Sequence, residues 1–394
     1  MAQLFGKNID AKALAQRAGS LDQFASVKLC TFENGWERGM RYLAFRNAGG
    51  LSFNVLVDRA MDLGEAYFND APIGWHSPTG TKHPMYHEHE AENGLGWLRS
   101  FSGLMMTCGL DHILGPETEN TEYYNYPHQS SRQSPVHGRL AFSPSNLSGY
   151  GAKWEGEDYI LWCEGSVQQT SVFGENLMLT RRIECKMGSN QISISDTVIN
   201  LGFIATPHML MYHINLGYPV LDEGSQYLAP IKECLWMGHE AKAQNLGYRT
   251  QREPLALAQE QVYEHRVMAD KNGKVPVALV NPTFNQKQGL GVLVEYEQSN
   301  LPCLFQWQCL QEGLYAFGIE PSTNHVLGKH FAKTSGALTY LQHQQEQHYC
   351  VKIEVLANQQ EIEECRKRIN AIYTAPCEEF LHASENWFLG KSYE

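Results

Sequence analysis

From Lys28 onward the chain consists of short runs that alternate apolar and polar residues, with Gly, Pro, Asn or Asp at their ends. "QISISDTVIN" sets Ile192 and Ile194 against polar neighbours, and "VKIEVL" sets Val351, Ile353 and Val355 against Lys352 and Glu354. "LGVLVEYE" and "SGALTYL" have the same texture. A period of two sends successive side chains to opposite faces of a strand. No regular helices separate the runs, so a βαβ fold is excluded and an all-β fold, a large antiparallel β-sandwich, is expected. Helices are confined to the periphery: 9–17, rich in Ala and Leu with Gly19 soon after, and 359–372. No internal repeat, low-complexity tract or linker breaks the chain. Residues 1–394 therefore read as one sandwich domain, with a helical extension at 1–27 and a helical tail at 357–394.

Composition narrows the partners. The net charge is −12, which argues against nucleic acid or an anionic membrane surface as the main ligand. No run of 18 apolar residues suggests a membrane span, and the polar start "MAQLFGKNIDAKALAQRAGS" lacks a signal-peptide core. The ten cysteines are scattered with no C-x-x-C pair, so reduced, mostly buried thiols and a cytoplasmic location are expected.

Three runs have a face that a solvated sheet would not carry. In "MLMYHINLGYPVL", Leu210, Tyr212, Ile214 and Leu216 share one face, and Met209, Met211, His213 and Asn215 share the other. In "YAFGIEPST", Tyr315, Phe317 and Ile319 oppose Ala316, Gly318 and Glu320, which leaves space beside the carboxylate. In "LFQWQCL", Phe305, Trp307 and Cys309 alternate with Gln306 and Gln308. Faces made of small, apolar and hydrogen-bonding residues suit the floor of a concave pocket, and a sugar, with its hydroxyls and apolar ring face, suits such a floor. On this reading His213, Asn215, Glu320, Gln306 and Gln308 look into a groove. Trp75, Trp97, Trp236 and Trp307 are candidates to stack on a sugar, with Trp236 preferred for its polar context.

With Arg99 in "GWLRSF", "TCGL", "HGR" at 137, "YHINLGYP" at 212 and "GIEP" at 318, the chain resembles the galactose mutarotase (aldose 1-epimerase) superfamily, within a divergent aldose 1-epimerase-like branch. The resemblance covers roughly residues 30–356. It implies a single antiparallel sandwich with a groove on a concave sheet. It implies Glu320 as base and His213 as acid, with His137 and Arg99 holding sugar hydroxyls. Inversion of an anomeric carbon requires the C1 hydroxyl to lose a proton while the ring oxygen gains one, so two proton-transfer groups from different strands are needed and neither metal nor nucleotide is. The partner implied is a small-molecule carbohydrate, with the chain a monomer or homodimer. The sequence has Tyr212 where the family has an Asn before the His. The family's hydroxyl-binding Asp has Asp222 as a stand-in, or His239, Gln244 and Asn245.

Two rivals remain: a sugar-binding sensor on the same fold, and a lyase acting on a uronate, for which Arg99 or Arg139 would neutralise the substrate carboxylate. "HPMYHEHE" brings His83, His87 and His89 together. It is not H-E-x-x-H, and a substrate-facing lid or polar loop within 69–93 is preferred to a metal site.

Overall fold

Two antiparallel sheets carry the architecture, and the polarity of their strands decides which faces pack. The structure is a computed structural model that describes residues 2–121, 124, 129–237 and 244–380. The smaller sheet has eight strands, in the order Asn146–Glu155, Asp158–Thr170, Asn176–Lys186, Gln191–Asn200, Glu346–Leu356, Leu290–Glu297, Lys274–Asn281 and Gln226–Leu228. Five strands of the larger sheet carry the site: β1 (Met105–Leu110), β2 (Thr206–Leu216), β3 (Gln261–Val267), β4 (Cys303–Cys309) and β5 (Ala316–Ser322). The larger sheet runs Glu378–Phe380, Ile231–Met237, β3, β4, β5, β2, β1, Asp62–Phe68, Leu51–Leu56, Arg41–Arg46 and Ser26–Thr31. The expected β-sandwich is the observed fold.

The inner faces of the two sheets form one apolar cluster. Leu161, Leu179, Ile194, Val292 and Val351 from the smaller sheet meet Leu210, Tyr212, Ile214, Leu304, Phe317 and Ile319 from the larger. Burying one such side chain stabilises the fold by roughly 1.5–3 kcal/mol. An antiparallel sheet commonly leaves its other face to solvent. Here the outer face of the larger sheet is covered as well: Met106, Cys108, Met209, Met211 and Phe305 pack beneath Trp97, Phe101, Ile113 and Phe142. The covering residues come from connections outside the sheet, so the outer face becomes a second, smaller core with a functional region inside it.

The ends of the chain differ from expectation. The first helix is Ala11–Ala15, shorter than 9–17, because Asp10 caps it by accepting from the Ala13 amide at 2.7 Å. A hairpin of Ala2–Leu4 and Lys7–Ile9 precedes it, turning at Gly6 with φ +72°. Helix Gln359–Ile372 agrees with the sequence reading and buries Ile362, Cys365 and Ile369 against the smaller sheet's outer face. The tail beyond it is not wholly helical: Glu378–Phe380 adds a parallel edge strand to Ile231–Met237. Among the described residues, no helix is long and apolar enough to cross a membrane.

Candidate active site

Strand register brings the two proton-transfer candidates together. β2 pairs with β5 so that Met211 meets Ser322 and Ile214 meets Ile319, which sets His213 directly opposite Glu320. His213 Nε2 lies 3.2 Å from Glu320 Oε1. The row continues through Phe305 of β4 on one side and Met106 of β1 on the other. Both side chains are 5% exposed. Trp97, Phe101 and Trp307 surround the His213 ring, with centroids 5.6, 4.8 and 5.7 Å away.

Polar atoms are left over in this apolar nest. Asn215 donates its amide to the carbonyls of Gly103 at 3.2 Å and His213 at 3.1 Å, which fixes its orientation. Its Oδ1 has no hydrogen-bond partner, and neither do His213 Nδ1, Glu320 Oε1 or Trp97 Nε1. The His213–Glu320 contact is close without being aligned as a hydrogen bond. Native proteins pair nearly all buried polar atoms, because each orphan costs about 1–3 kcal/mol. Four orphans in one cluster mark a place built to bond something else.

Burial sets the proton. It pushes the Glu320 carboxyl up to about 8, with a smaller contribution from the Glu260 charge. It pushes the His213 imidazole down to about 3, with the neighbouring Asn215 amide opposing. At neutral pH the pair is therefore a protonated acid beside a neutral imidazole. This reverses the ionisation implied by the resemblance, a carboxylate and an imidazolium, because two charges are expensive in a nest walled by tryptophan and phenylalanine.

His137 joins them from a turn, its ring 5.7 Å from that of His213 and 4.6 Å from Trp97. Its backbone sits at φ +58° and Gly138 follows at φ +75°. A Cβ on Gly138 would fall 2.4 Å from the Gly109 carbonyl oxygen and 2.6 Å from that of His112, so the second residue of the His-Gly pair must be glycine. The Leu114 amide donates to His137 Nδ1 at 3.3 Å, which leaves Nε2 as the N–H that a ligand oxygen could accept from. Burial and the nearby His213 and His112 hold His137 well below its ordinary pKa, so it too is neutral.

Other expected site residues lie elsewhere. Arg99 ends a 3-10 turn, Gly96–Arg99, that points Trp97 inward and Arg99 out; its side chain is 65% exposed and paired with Glu92. Gln306 and Gln308 are on the inner face of β4. Gln306 bonds His265, the Tyr248 carbonyl and Gln308, and Gln308 donates to the Gly247 carbonyl. Trp236 pairs with Tyr263, which pairs with Gln306, so it shares that inner face. The assignment of β4's two faces is thus inverted: Phe305 and Trp307 look toward the site. Asp222 takes part in a local turn, its amide donating to Ser225 Oγ and its Oδ1 accepting from the Glu223 amide. Asn245 Oδ1 accepts from the Tyr263 hydroxyl, and His239 lies outside the described residues. His83 Nδ1 accepts from the Met85 amide, while His87 and His89 approach to 3.2 Å and His87 stacks on Phe142.

The sequence reading named Trp75, Trp97 and Trp307 as stacking candidates but preferred Trp236, and it missed Phe101 and the cavity that these aromatic residues border. Trp75, Phe101, Trp307, Leu98, Leu257 and Glu260 line a cavity of about 540 Å³, and two of them, Phe101 and Trp307, also flank the His213 ring. Trp307 is held in place by donating Nε1 to Glu260 Oε2 at 2.8 Å. Phe101 lies outside the regular strands and packs among Trp75, Trp97, His213 and Trp307.

Gly318 gives this geometry a test. A Cβ there would meet Glu320 Oε1 at 2.5 Å, Trp307 Cβ at 3.1 Å and His213 Cε1 at 3.4 Å. Gly318→Ala should push the carboxylate off His213 and lower any activity of the pair roughly 10- to 100-fold, as displacements of about 1 Å do. Thermal unfolding measured alongside should change little; equal activity in the two proteins would mean the contact is not used.

Comparison with known proteins bears on the family and the fold. A family model described as a domain of unknown function, DUF4432, matches residues 37–355. The chain belongs to the DUF4432 family. The DUF4432 chain matches no curated protein. Among solved structures it is similar to a protein of Klebsiella pneumoniae provisionally assigned as an aldose 1-epimerase, with TM-score 0.83 and 22% identity over 93% of this chain and 94% of that one. A galactose mutarotase-like protein of Clostridium acetobutylicum has TM-score 0.55 and 12% identity over 84% and 98%. A protein of Synechocystis sp. PCC 6803 has 0.54 and 14% over 81% and 96%. The DUF4432 chain therefore has the galactose mutarotase-like fold.

Proposed function

We propose that this chain interconverts the anomers of a free or modified aldose by acid–base ring opening and closure. The observation that carries the reading is the His213–Glu320 pair: opposite each other on neighbouring strands, 3.2 Å apart, with unpartnered polar atoms around them. The pair holds one proton across neutral pH. In opening, Glu320 gives its proton to the ring oxygen while His213 takes the C1 hydroxyl proton. After rotation about C1–C2, closure runs these transfers backwards on the other face, with Glu320 as base and His213 as acid. In both halves Glu320 serves the ring oxygen and His213 the C1 oxygen; the resemblance pairs them the other way, with Glu320 at the C1 hydroxyl and His213 at the ring oxygen. His137 Nε2 and Asn215 Oδ1 offer a donor and an acceptor for sugar hydroxyls, and Trp307 offers an apolar face for the ring. The cavity bordered by Phe101 and Trp307 gives the substrate its approach.

The alternatives draw less support. A uronate lyase needs a cation for the substrate carboxylate, yet Arg99 pairs with Glu92, and Arg139 pairs with Glu90 and donates to the Gln133 carbonyl. A binding-only sensor is favoured by one fact, the near closure of the pair beneath its aromatic layer, and predicts ligand-induced thermal stabilisation with no anomeric exchange.

The pH profile of kcat/KM for exchange tests the proton inventory. Activity should hold from mildly acidic to neutral pH and fall as pH rises through about 8, where Glu320 loses its proton. A charged pair with an ordinary imidazolium would instead lose activity above about 6.5. A midpoint there, after correction for uncatalysed exchange, would contradict the neutral pair.

A further inference from the structure

Two strands away from Glu320, a second cluster of chemically mixed side chains has no part in the proposed reaction. Glu264 of β3 pairs with Phe305, which pairs with Glu320, so Glu264 projects from the same outer face. Cys303 begins β4, and His325 follows β5 by three residues. Glu264 Oε1 touches His325 Nδ1, and Cys303 Sγ lies 3.5 Å from the same nitrogen. One donor atom from each of the three residues lies within 4.8 Å of the others. Glu264 and Cys303 are 1% and 2% exposed, and only the His325 edge reaches solvent. The Val326 amide donates to Glu264 Oε2 at 3.1 Å, which fixes the carboxylate's direction.

We infer that Glu264, Cys303 and His325 form a binding site for one divalent metal ion of the zinc class. Three Lewis bases from three separate segments converge on one point, and a single Nδ1 proton can satisfy only one of the other two well. A thiolate, an imidazole nitrogen and a carboxylate oxygen are together the donor set of a borderline-soft dication; calcium and magnesium would require oxygens alone. The S···N separation matches the edge of a tetrahedron built from bonds of about 2.3 and 2.0 Å. The Glu264–His325 contact is shorter than such an edge, so the ion would spread these two apart. Three protein ligands leave a fourth position for water on the His325 side. The ion would pin the start of β4 and the chain after β5 to β3, beside the strands that carry Glu320 and Trp307. The site is independent of the sugar chemistry proposed above.

Cobalt(II) is the probe. Purified protein, stripped with a chelator and desalted, is titrated with Co²⁺ and followed by absorption, with Zn²⁺ added afterwards. The expected result is one equivalent bound, a thiolate-to-metal band in the near ultraviolet, strong tetrahedral bands in the visible, and their loss on adding Zn²⁺. Cys303→Ser should abolish the near-ultraviolet band, and His325→Gln should weaken Co²⁺ binding at least tenfold. The absence of any thiolate band, or a band that persists in Cys303→Ser and so belongs to another of the ten cysteines, would overturn the assignment. If Cys303→Ser does not fold, His325→Gln decides alone, and unchanged affinity in that variant overturns it.

Discussion

Glu320→Gln should lower enzyme-catalysed anomeric exchange about 1,000-fold, equivalent to about 4 kcal/mol of barrier. The substitution keeps the shape and the hydrogen-bonding capacity and removes only the transferable proton. Because the two proton transfers belong to one ring-opening step, loss of either group disables the same step. His213→Asn should therefore be about as damaging as Glu320→Gln, and the double variant scarcely worse than either. Additive losses would show that the two act separately. Stability should move the other way. Burial raises the folded-state pKa of Glu320 to about 8, so the unfolded chain gives up a proton that the folded protein keeps. Wild-type stability is thus eroded as pH rises from the ordinary carboxylate range toward 8. A neutral Gln escapes this penalty, and Glu320→Gln should melt higher than wild type at pH 8, with the two converging near pH 4. A carboxyl retained at such a cost is explained by use.

Arg181→Met should destabilise the protein by about 3–5 kcal/mol, measured as a fall in the urea midpoint. Arg181 is fully buried between the sheets. It donates to Asp62 at 2.9 Å, to Asp196 at 2.9 and 2.6 Å, and to Thr107 Oγ1 at 2.9 Å. Tyr212, the neighbour of His213 on β2, donates its hydroxyl to Asp196 at 2.7 Å. Removing the guanidinium strips Asp196 of its bonded counter-charge and leaves Asp62 with only the more distant Arg59, so the carboxylates must protonate or admit water. Adding Asp62→Asn and Asp196→Asn to Arg181→Met should recover part of the loss, because the penalty comes from stranded charge more than from lost contact. An unchanged midpoint in the single variant would mean the network does not support β2.

The faces of β2 and β5 were legible in the sequence. A run that sets Leu210, Tyr212, Ile214 and Leu216 against Met209, Met211, His213 and Asn215 has only one apolar-rich side for the main core, and the structure places both sets as expected. Gly318 beside Glu320 pointed to space near the carboxylate, and the carboxylate occupies that space. β4 misled because both its faces are buried. Alternation tells which residues share a face, but only cross-strand register tells which face looks at the site. Phe305 and Trp307 were assigned to the core for being apolar, although the site itself lies within a second apolar cluster. Arg99 misled in another way: it was carried over from the resemblance alone, and it ends the 3-10 turn Gly96–Arg99, which buries Trp97 and leaves Arg99 exposed. The Arg181 network is held by bonds that span up to 121 positions, so its partners were not legible, although alternation in "LTRRIEC" does put Arg181, and not Arg182, on the face of Leu179, Ile183 and Cys185.

The most direct measurement is saturation transfer by NMR between the α and β anomeric protons of free aldoses at pH 7, with wild type and Glu320→Gln run side by side over a panel of sugars. The account expects wild type to exceed the spontaneous exchange rate on at least one sugar and Glu320→Gln to return that sugar to near the spontaneous rate. Exchange that Glu320→Gln sustains undiminished, or ligand binding across the panel with no exchange by wild type, would contradict it.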